Sequence, residues 1–401
     1  MDDAVDISGA STDTPSMVDS ANSVPSEGLS ASERAPYGAL YIHVPFCHKR
    51  CSYCDFATEA VPSTSSRLDT YTDMIVRSIH HASQSGDLSH IQTVYLGGGT
   101  PTYLGLRRLT SILYMLSLSM RLEPDVECSM EANPDSLTEP MVKDLWALGV
   151  NRISIGVQSF DDEVLQTLGR IHTAQQASDA IACAHTRFKN VSVDLMCGIP
   201  GQTTESFRSS VRRAIALGVT HVSVYPLTIE EGTPFDRMQQ RGELAAVSDD
   251  LQAEQMVCAC QELESAGFHR YEVASYARDG YECRHNCAYW TGIPYLGLGP
   301  SAVSMQQSDR RRVRLKDGVV VDSLDNRERC AEDLMLGMRM SGGVTDTMVG
   351  RAQILLPDVT HTLADLQSQG LITHNGSCWC PTDRGWLCGN ELYGALYNLA
   401  P

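Results

Sequence analysis

The chain has 401 residues, long enough for two or three domains around a large core. It carries 31 Lys and Arg against 49 Asp and Glu, a net charge of −18, which argues against a nucleic-acid binder, whose affinity comes from neutralising phosphates. Fourteen cysteines in so long a chain do not read as a disulfide scaffold, which belongs to short secreted domains.

In chain order, residues 1–36 are rich in Ser, Asp, Ala and Pro, and the first basic residue is Arg34. Such a segment buries too little surface to offset the entropy of ordering, so it is expected to be a disordered acidic Ser-rich tail. It has neither the basic n-region nor the apolar h-region of a secretory signal, and the most apolar segment, Ile112–Met120, is too short to span a bilayer. A reducing, cytoplasmic setting is the expectation.

From Leu40 onward short β-branched runs alternate with stretches of helical apolar spacing. Strands are predicted at Leu40–Val44, Thr93–Leu96, Val126–Met130, Arg152–Val157, Val191–Met196 and His221–Pro226. Helices are predicted between them at Arg67–Ser83, Arg107–Met120, Glu139–Leu148, Ala174–Thr186 and Thr204–Leu217. Gly149 and Gly218 follow two of these as C-terminal caps, and Thr203 or Thr204 is placed to cap the last. This alternation implies an α/β fold with a parallel sheet, a partial (β/α)6 TIM-like barrel over residues 37–245 rather than a closed eight-stranded one.

Directly after the first strand comes Cys47-His48-Lys49-Arg50-Cys51-Ser52-Tyr53-Cys54. Thiolates select zinc, copper(I) or iron–sulfur clusters. The next cysteine after Cys54 is Cys128, so a cubane held on this loop keeps one iron without a protein ligand, an open coordination site. A zinc loop completed by His43 or His48 is the alternative at this point.

In barrels of this type the active site lies at the C-terminal ends of the strands, and each predicted strand delivers a polar group there. The second ends in Gly97-Gly98-Gly99-Thr100-Pro101, the third at Glu131, the fourth at Gln158, and the sixth near Thr228. The fifth carries Asp194, and Arg170 follows the fourth. Carboxylates among apolar β residues are costly unless paired, so their convergence on one rim points to a ligand site.

The CxxxCxxC spacing with Tyr53 before the third cysteine resembles the cluster loop of radical S-adenosylmethionine (SAM) proteins. The run Tyr41-Ile42-His43-Val44-Pro45-Phe46-Cys47 narrows the resemblance to the oxygen-independent coproporphyrinogen oxidase group, and within it to the heme-chaperone, HemW-like branch. The resemblance implies a [4Fe–4S] cluster on Cys47, Cys51 and Cys54, with S-adenosyl-L-methionine chelating the open iron. It assigns Gly98, Gly99 and Thr100 to the methionine end of SAM, Glu131 to its amino acid moiety, and Gln158 and Asp194 to the ribose hydroxyls. It further assigns Arg170 to the carboxylate, Tyr41 and Tyr53 to aromatic positions near SAM, and Thr228 to a backbone contact with adenine.

The remainder, 246–401, is expected to be an α+β region. A helix is predicted at Asp249–Ala266, ending at Gly267, then a strand at Tyr271–Tyr276. Next comes Cys283-Arg284-His285-Asn286-Cys287-Ala288-Tyr289-Trp290, which resembles the HNxxYW motif of the heme-chaperone branch, where it is implicated in heme binding. His285 would be the axial ligand, with Tyr289 and Trp290 as flat faces for the porphyrin. A hydrogen-bonded packing histidine is the alternative. In Tyr295–Val303, Ser301 and Val303 stand where the family usually has Gly and His. Helices at Arg327–Arg339 and Pro357–Gln369, followed by a hairpin ending at Thr382, suggest a winged-helix-like module. Cys378, Cys380 and Cys388 are either a second metal site or incidental thiols, the commoner case.

Two functions of different classes follow. One is a carrier that binds heme and passes it to an acceptor protein. The other is an enzyme, an oxygen-independent coproporphyrinogen III dehydrogenase. The enzyme's loop commonly continues CxxxCxxCxC, whereas Phe56 stands two residues past Cys54. The N-terminal segment offers nothing suited to a tetrapyrrole, and HNxxYW belongs to the chaperone branch, so the carrier is favoured. Whether SAM is turned over stays open, and no catalytic residue is assigned. The expected partners are heme and an acceptor protein, not nucleic acid; homodimerisation and transient membrane association stay open.

Overall fold

A computed structural model of the protein describes residues 28–120, 125–244 and 248–401, so residues 1–27 of the expected tail lie outside it. Six parallel strands form the frame: β1 (Ala39–Val44), β2 (Thr93–Gly98), β3 (Glu127–Ala132), β4 (Arg152–Gln158), β5 (Asn190–Cys197) and β6 (His221–Pro226), hydrogen-bonded in that order. Each of the six strands predicted between residues 40 and 226 is present, with ends shifted by at most two residues.

The alternation along each strand sets the two faces. Leu40, Ile42 and Val44 of β1 point outward and are fully buried against the crossover helices. The first of these, Ser66–Gln84, buries Leu68, Tyr71, Ile75 and Ile79 along one stripe, and the Ser65 hydroxyl accepts the Arg67 N–H at its start. Each such aliphatic side chain contributes about 1.5–3 kcal/mol by leaving water. The inward positions are polar: Tyr41 hydrogen-bonds His43, Tyr95 donates to Glu131, and Ser154 donates to Asp194. These inward side chains stack and hydrogen-bond on one another inside the barrel. Gly149 and Gly218 close their helices at φ 95° and 79°, and the Thr203 hydroxyl caps the helix Thr204–Ala216.

Two expectations are corrected. Residues 28–36 are part of the fold, not of a loose tail. The Leu29 N–H donates to the Gln306 side chain at 2.7 Å, the Ala35 N–H to the Gln307 carbonyl at 2.7 Å, and Arg34 pairs with Asp87 while stacking on Tyr37. The basic and apolar residues at the end of the segment outweigh its polar composition.

The second correction concerns the break near residue 245. The sheet runs on through β7 (His269–Arg270), β8 (Ser275–Ala277), β9 (Tyr295–Leu298), β10 (Val303–Gln307), β11 (Arg312–Lys316) and β12 (Val319–Leu324). The result is one twelve-stranded sheet in the order β12-β11-β10-β9-β1-β2-β3-β4-β5-β6-β8-β7. β9 pairs in parallel with β1, and β8 pairs antiparallel with β6. Ala259, Leu263, Phe268, Tyr276 and Leu296 belong to the same core as the first six strands. The predicted strand Tyr271–Tyr276 is extended only at its end, because Tyr271 turns its hydroxyl inward to His221.

A separate core begins past Asp325, with Ala331, Leu334, Met338, Val349, Leu363 and Leu392 among its members. It holds the helices Asn326–Gly337, Asp346–Ala352 and Val359–Ser368 and a three-stranded wing of Val344–Thr345, Cys378–Pro381 and Ile372–Asn375, the winged-helix-like arrangement that was expected. Arg312, 1% exposed, ties the sheet to this unit by ion pairs with Glu332 and Asp333, and Arg314 adds a second pair to Glu332. No helix among the described residues is long and apolar enough to cross a membrane.

Candidate functional site

The cluster loop leaves the C-terminal end of β1 and is held by its neighbours. The Ser52 N–H donates to the Leu168 carbonyl at 3.0 Å, and the Ser52 carbonyl accepts the Phe235 N–H at 3.0 Å. Gly169 lies so close that a Cβ there would meet the Ser52 hydroxyl at 2.7 Å. Across the loop, the Thr100 and Gly99 region closes on Val44 and Phe46. The Gly99 N–H donates to the Val44 carbonyl and the Thr100 N–H to the Phe46 carbonyl. A Cβ on Gly99 would stand 2.6 Å from the Phe46 carbonyl oxygen, so this glycine is explained by a backbone approach within the protein.

A ring of side chains joins two of the three thiols. Thr100 Oγ1 donates to Cys47 Sγ at 3.6 Å, and Asn133 Nδ2 donates to Thr100 Oγ1 at 2.9 Å. Arg170 Nη2 then donates to Asn133 Oδ1 at 2.7 Å, while its Nη1 reaches Cys51 Sγ at 3.5 Å. The third thiol, Cys54, lies 3.8 Å from the Thr58 hydroxyl. Burial pushes the Cys47 thiol up to about 11, so metal ligation has to displace its proton.

This donor set fits a cluster better than a single ion. Three thiols on one loop leave a tetrahedral zinc one ligand short. His43 has both ring nitrogens engaged, with the Tyr41 hydroxyl at 2.9 Å and the Ala57 carbonyl at 3.0 Å. His48 stacks on Tyr103 instead. Three thiolates on one loop suit an iron–sulfur cube with one iron left open.

Behind the loop sit two buried carboxyls. Glu131 accepts from the Tyr95 hydroxyl at 2.8 Å and the Gly98 N–H at 3.0 Å. Burial, reinforced by Asp194, raises its pKa to about 7. Burial raises Asp194 to about 6, against the pull of Arg152 and hydrogen bonds from Ser223 and Ser154. Carboxyls raised in this way are stabilised by an incoming cation or by hydroxyl donors. Gln158 ends β4 at φ 65°, at the register shift between β4 and β5, a left-handed conformation that a residue other than glycine adopts only under constraint. The buried Arg170 Nε has no hydrogen-bond partner among the described residues, so the guanidinium retains donor capacity beside the thiols. Carboxyls, an amide and a cation on one rim suit a zwitterionic amino acid joined to a diol.

Other expected residues are dispersed. Tyr53 packs with Val164, Leu168 and Phe235 under the loop. Tyr41 lies inside the barrel between His43, Tyr95 and His285. Thr228 is exposed beyond the end of β6. The HNxxYW segment is the helix Arg284–Trp290, and it plugs the opposite end of the barrel. Glu127, first residue of β3, accepts the N–H groups of Arg284 and His285 at 2.9 and 3.1 Å. His285 is 1% exposed; its Nδ1 pairs with the Thr93 hydroxyl at 2.9 Å and its Nε2 with the Tyr289 hydroxyl at 3.1 Å. Burial, then the charge of Arg152, lowers its pKa to about 3, so the ring is neutral. Trp290 donates to Glu272 at 3.0 Å. In this conformation the packing reading of His285 describes its contacts. Among the described residues Cys378, Cys380 and Cys388 take part in no three-ligand group. All fourteen cysteines lie among the described residues and are free.

Sequence reasoning passed over Asn133 and Arg152. Asn133 lies two residues past Glu131, but only the fold shows that it bridges Thr100 and Arg170. Arg152, 2% exposed with Nε and Nη1 unpartnered, is the buried counter-charge to Asp194. A charged residue opening an otherwise apolar strand was its signal.

Fold and site define a radical SAM protein. The Radical SAM superfamily matches residues 41–214, and the HemN C-terminal domain matches residues 324–388. Heme chaperone HemW of Synechocystis is 36% identical over 89% of this chain and 87% of its own length. Its Bacillus subtilis namesake is 32% identical over 89% and 98%. A zebrafish (Danio rerio) protein, radical S-adenosyl methionine domain-containing protein 1, mitochondrial, is 32% identical over 80% and 76%. Coproporphyrinogen III oxidase (HemN) from Escherichia coli superposes with a TM-score of 0.74 at 22% identity, covering 91% of this chain and 90% of that one, a likeness of fold. The chain belongs to the HemW family of radical SAM proteins. Radical SAM proteins carry a [4Fe–4S] cluster and SAM; the three loop thiols suit the one, and the carboxyls and guanidinium at this barrel mouth the other.

Proposed function

We propose that the chain is a heme chaperone, which binds heme and hands it to an acceptor protein while holding a [4Fe–4S] cluster and exchangeable SAM. The observation that carries this is the 36% identity to a heme chaperone HemW over nearly the whole chain. Cys47, Cys51 and Cys54 hold the cluster. Glu131 takes the SAM amino acid moiety, Arg170 the carboxylate, and Gln158 with Asp194 the ribose diol. Gly98, Gly99, Thr100, Tyr41 and Tyr53 shape the surrounding wall, and Thr228 lies on the adenine side. When bound, cluster and SAM supply one-electron chemistry. Around them, Asn133 fixes Thr100 and Arg170 against two of the thiols, and Arg152 holds Asp194 toward its ionised form. The chaperone works in a reducing compartment, the cytoplasm.

On the heme side, His285, Tyr289 and Trp290 can ligate heme only if the base of the barrel opens. His285 would have to give up Thr93 or Tyr289. The test is hemin titration of the anaerobically reconstituted chain, followed by transfer to an apo-heme protein. A saturable Soret band that moves to the acceptor is expected. Conversion of coproporphyrinogen III to protoporphyrinogen, with SAM and a reductant, would replace the carrier by the decarboxylating enzyme.

A further inference from the structure

An open groove of about 630 Å³ runs along the outer face of the cluster loop, between residues 45–59 and the first half of the helix Ser66–Gln84. It is the size of an ordinary small-molecule site. Its floor is Phe46, set edge-on to Tyr71 with ring centroids 5.4 Å apart. Met74 and Pro300 form one wall, and Phe56 the rim. Phe56 is 65% exposed, a large aromatic left in water directly after the third cysteine. Isolated exposed apolar residues need no explanation, but this one borders a groove whose floor is aromatic.

Two arginines and two carboxylates, Asp55 and Glu59, line the same groove. Arg67 is paired with Glu59. Arg50 donates to the Cys54 carbonyl at 2.9 Å and has no carboxylate partner among the described residues. On a chain of net charge −18 most of the surface repels an anion, and Arg50 sets an unpaired guanidinium beside the aromatic lining of this groove. A flat apolar body with carboxylates at one edge matches an aromatic-lined groove with a free guanidinium at its lip.

We infer that this groove, rather than the buried His285, is where heme docks, with the porphyrin against Phe46 and Phe56 and a propionate on Arg50. The inference rests on the heme-carrier reading and gives it an address. The position that carries Phe56 is the one that distinguishes this loop from the enzyme's, where a fourth cysteine is usual. The aromatic there supplies a face for the cargo. Docking on the outer side of the loop leaves the SAM rim clear, so heme and SAM bind together. It also leaves heme on the surface, where a second protein can reach it.

Hemin titration of the full, anaerobically reconstituted chain tests this, with Soret absorbance as the readout. Phe56→Ser combined with Arg50→Ser changes two exposed side chains and is expected to weaken hemin binding by about tenfold or more. Near-UV circular dichroism and the cluster absorbance should stay as in the parent chain. His285→Ala, and His285→Gln as a milder change, should retain parent affinity when the near-UV signal shows the barrel intact. Groove variants with parent affinity, or folded His285 variants that lose the Soret band while the groove variant keeps it, overturn the groove and leave the carrier reading standing. A parent chain with no saturable band overturns both.

Discussion

Replacing Glu131 by Gln separates the electrostatics of the SAM site from its shape. The side chain keeps its length and an acceptor for the Tyr95 hydroxyl, and loses its titration. In the free protein, burial and the neighbouring Asp194 raise the Glu131 pKa to about 7. A bound amino acid with a nearby sulfonium favours the ionised carboxylate, so binding expels a proton wherever Glu131 is still protonated. Affinity therefore rises with pH up to the free pKa and then levels. With a pKa near 7 the ionised fraction grows from about one-tenth at about pH 6 to about nine-tenths at about pH 8, a change of roughly tenfold in affinity. SAM dissociation constants would be measured by equilibrium dialysis on both proteins, reconstituted anaerobically. The ratio of parent to Glu131→Gln affinity cancels the ligand's own titration and should climb roughly tenfold over that range. A ratio that is flat, or that falls with pH, refutes the assignment of Glu131 to a cationic partner.

The same carboxyl acts on folding. Its folded pKa of about 7 lies above the ordinary 4.5, so its contribution to stability is full below pH 4.5 and is lost as pH rises through about 7. Glu131→Gln should stabilise the SAM-free chain at about pH 8 relative to about pH 5 by on the order of 3 kcal/mol at most, read from denaturant midpoints. Cys47→Ala, Cys51→Ala and Cys54→Ala should each abolish the cluster absorbance, with iron and acid-labile sulfide falling together; zinc at stoichiometry without sulfide would contradict the cluster. Gly99→Ala forces a Cβ against the Phe46 carbonyl and should cost about 2 kcal/mol or more, with reduced cluster yield. Ser301→Gly should gain about 0.5–1 kcal/mol in a urea titration, because Ser301 sits at φ 63° with its N–H on Asp317. A loss of stability there would mean the Ser301 side chain has a packing role.

The barrel was legible because its strands and helices carry unmixed periodicities, and the cysteine spacing needs no fold to be read. Convergence of Glu131, Asp194 and Gln158 on one rim followed from strand direction alone. The left-handed backbone at position 301 accounts for a glycine there, and Ser301 adopts it with its N–H on Asp317. What stayed hidden depended on contacts distant in sequence. Asn133 gains its role from Thr100 and Arg170, and no periodicity announces that bridge. The enclosure of His285 depends on Thr93 and Tyr289 meeting its two nitrogens. The break near 245 follows the end of the strand–helix alternation, while the pairing of β9 with β1 is a long-range event that no local pattern announces.

That pairing bears on how the chain can be handled. A fragment ending near residue 245 would present β1 with one side of its backbone unpaired, over the register that Tyr295–Leu298 now occupies. It would equally bare β6, which β8 covers. Two open edges flanking an apolar parallel sheet are templates for association with other chains. The strand that leads into Cys47 is one of them, so the first casualty of truncation is the posture of the cluster loop itself.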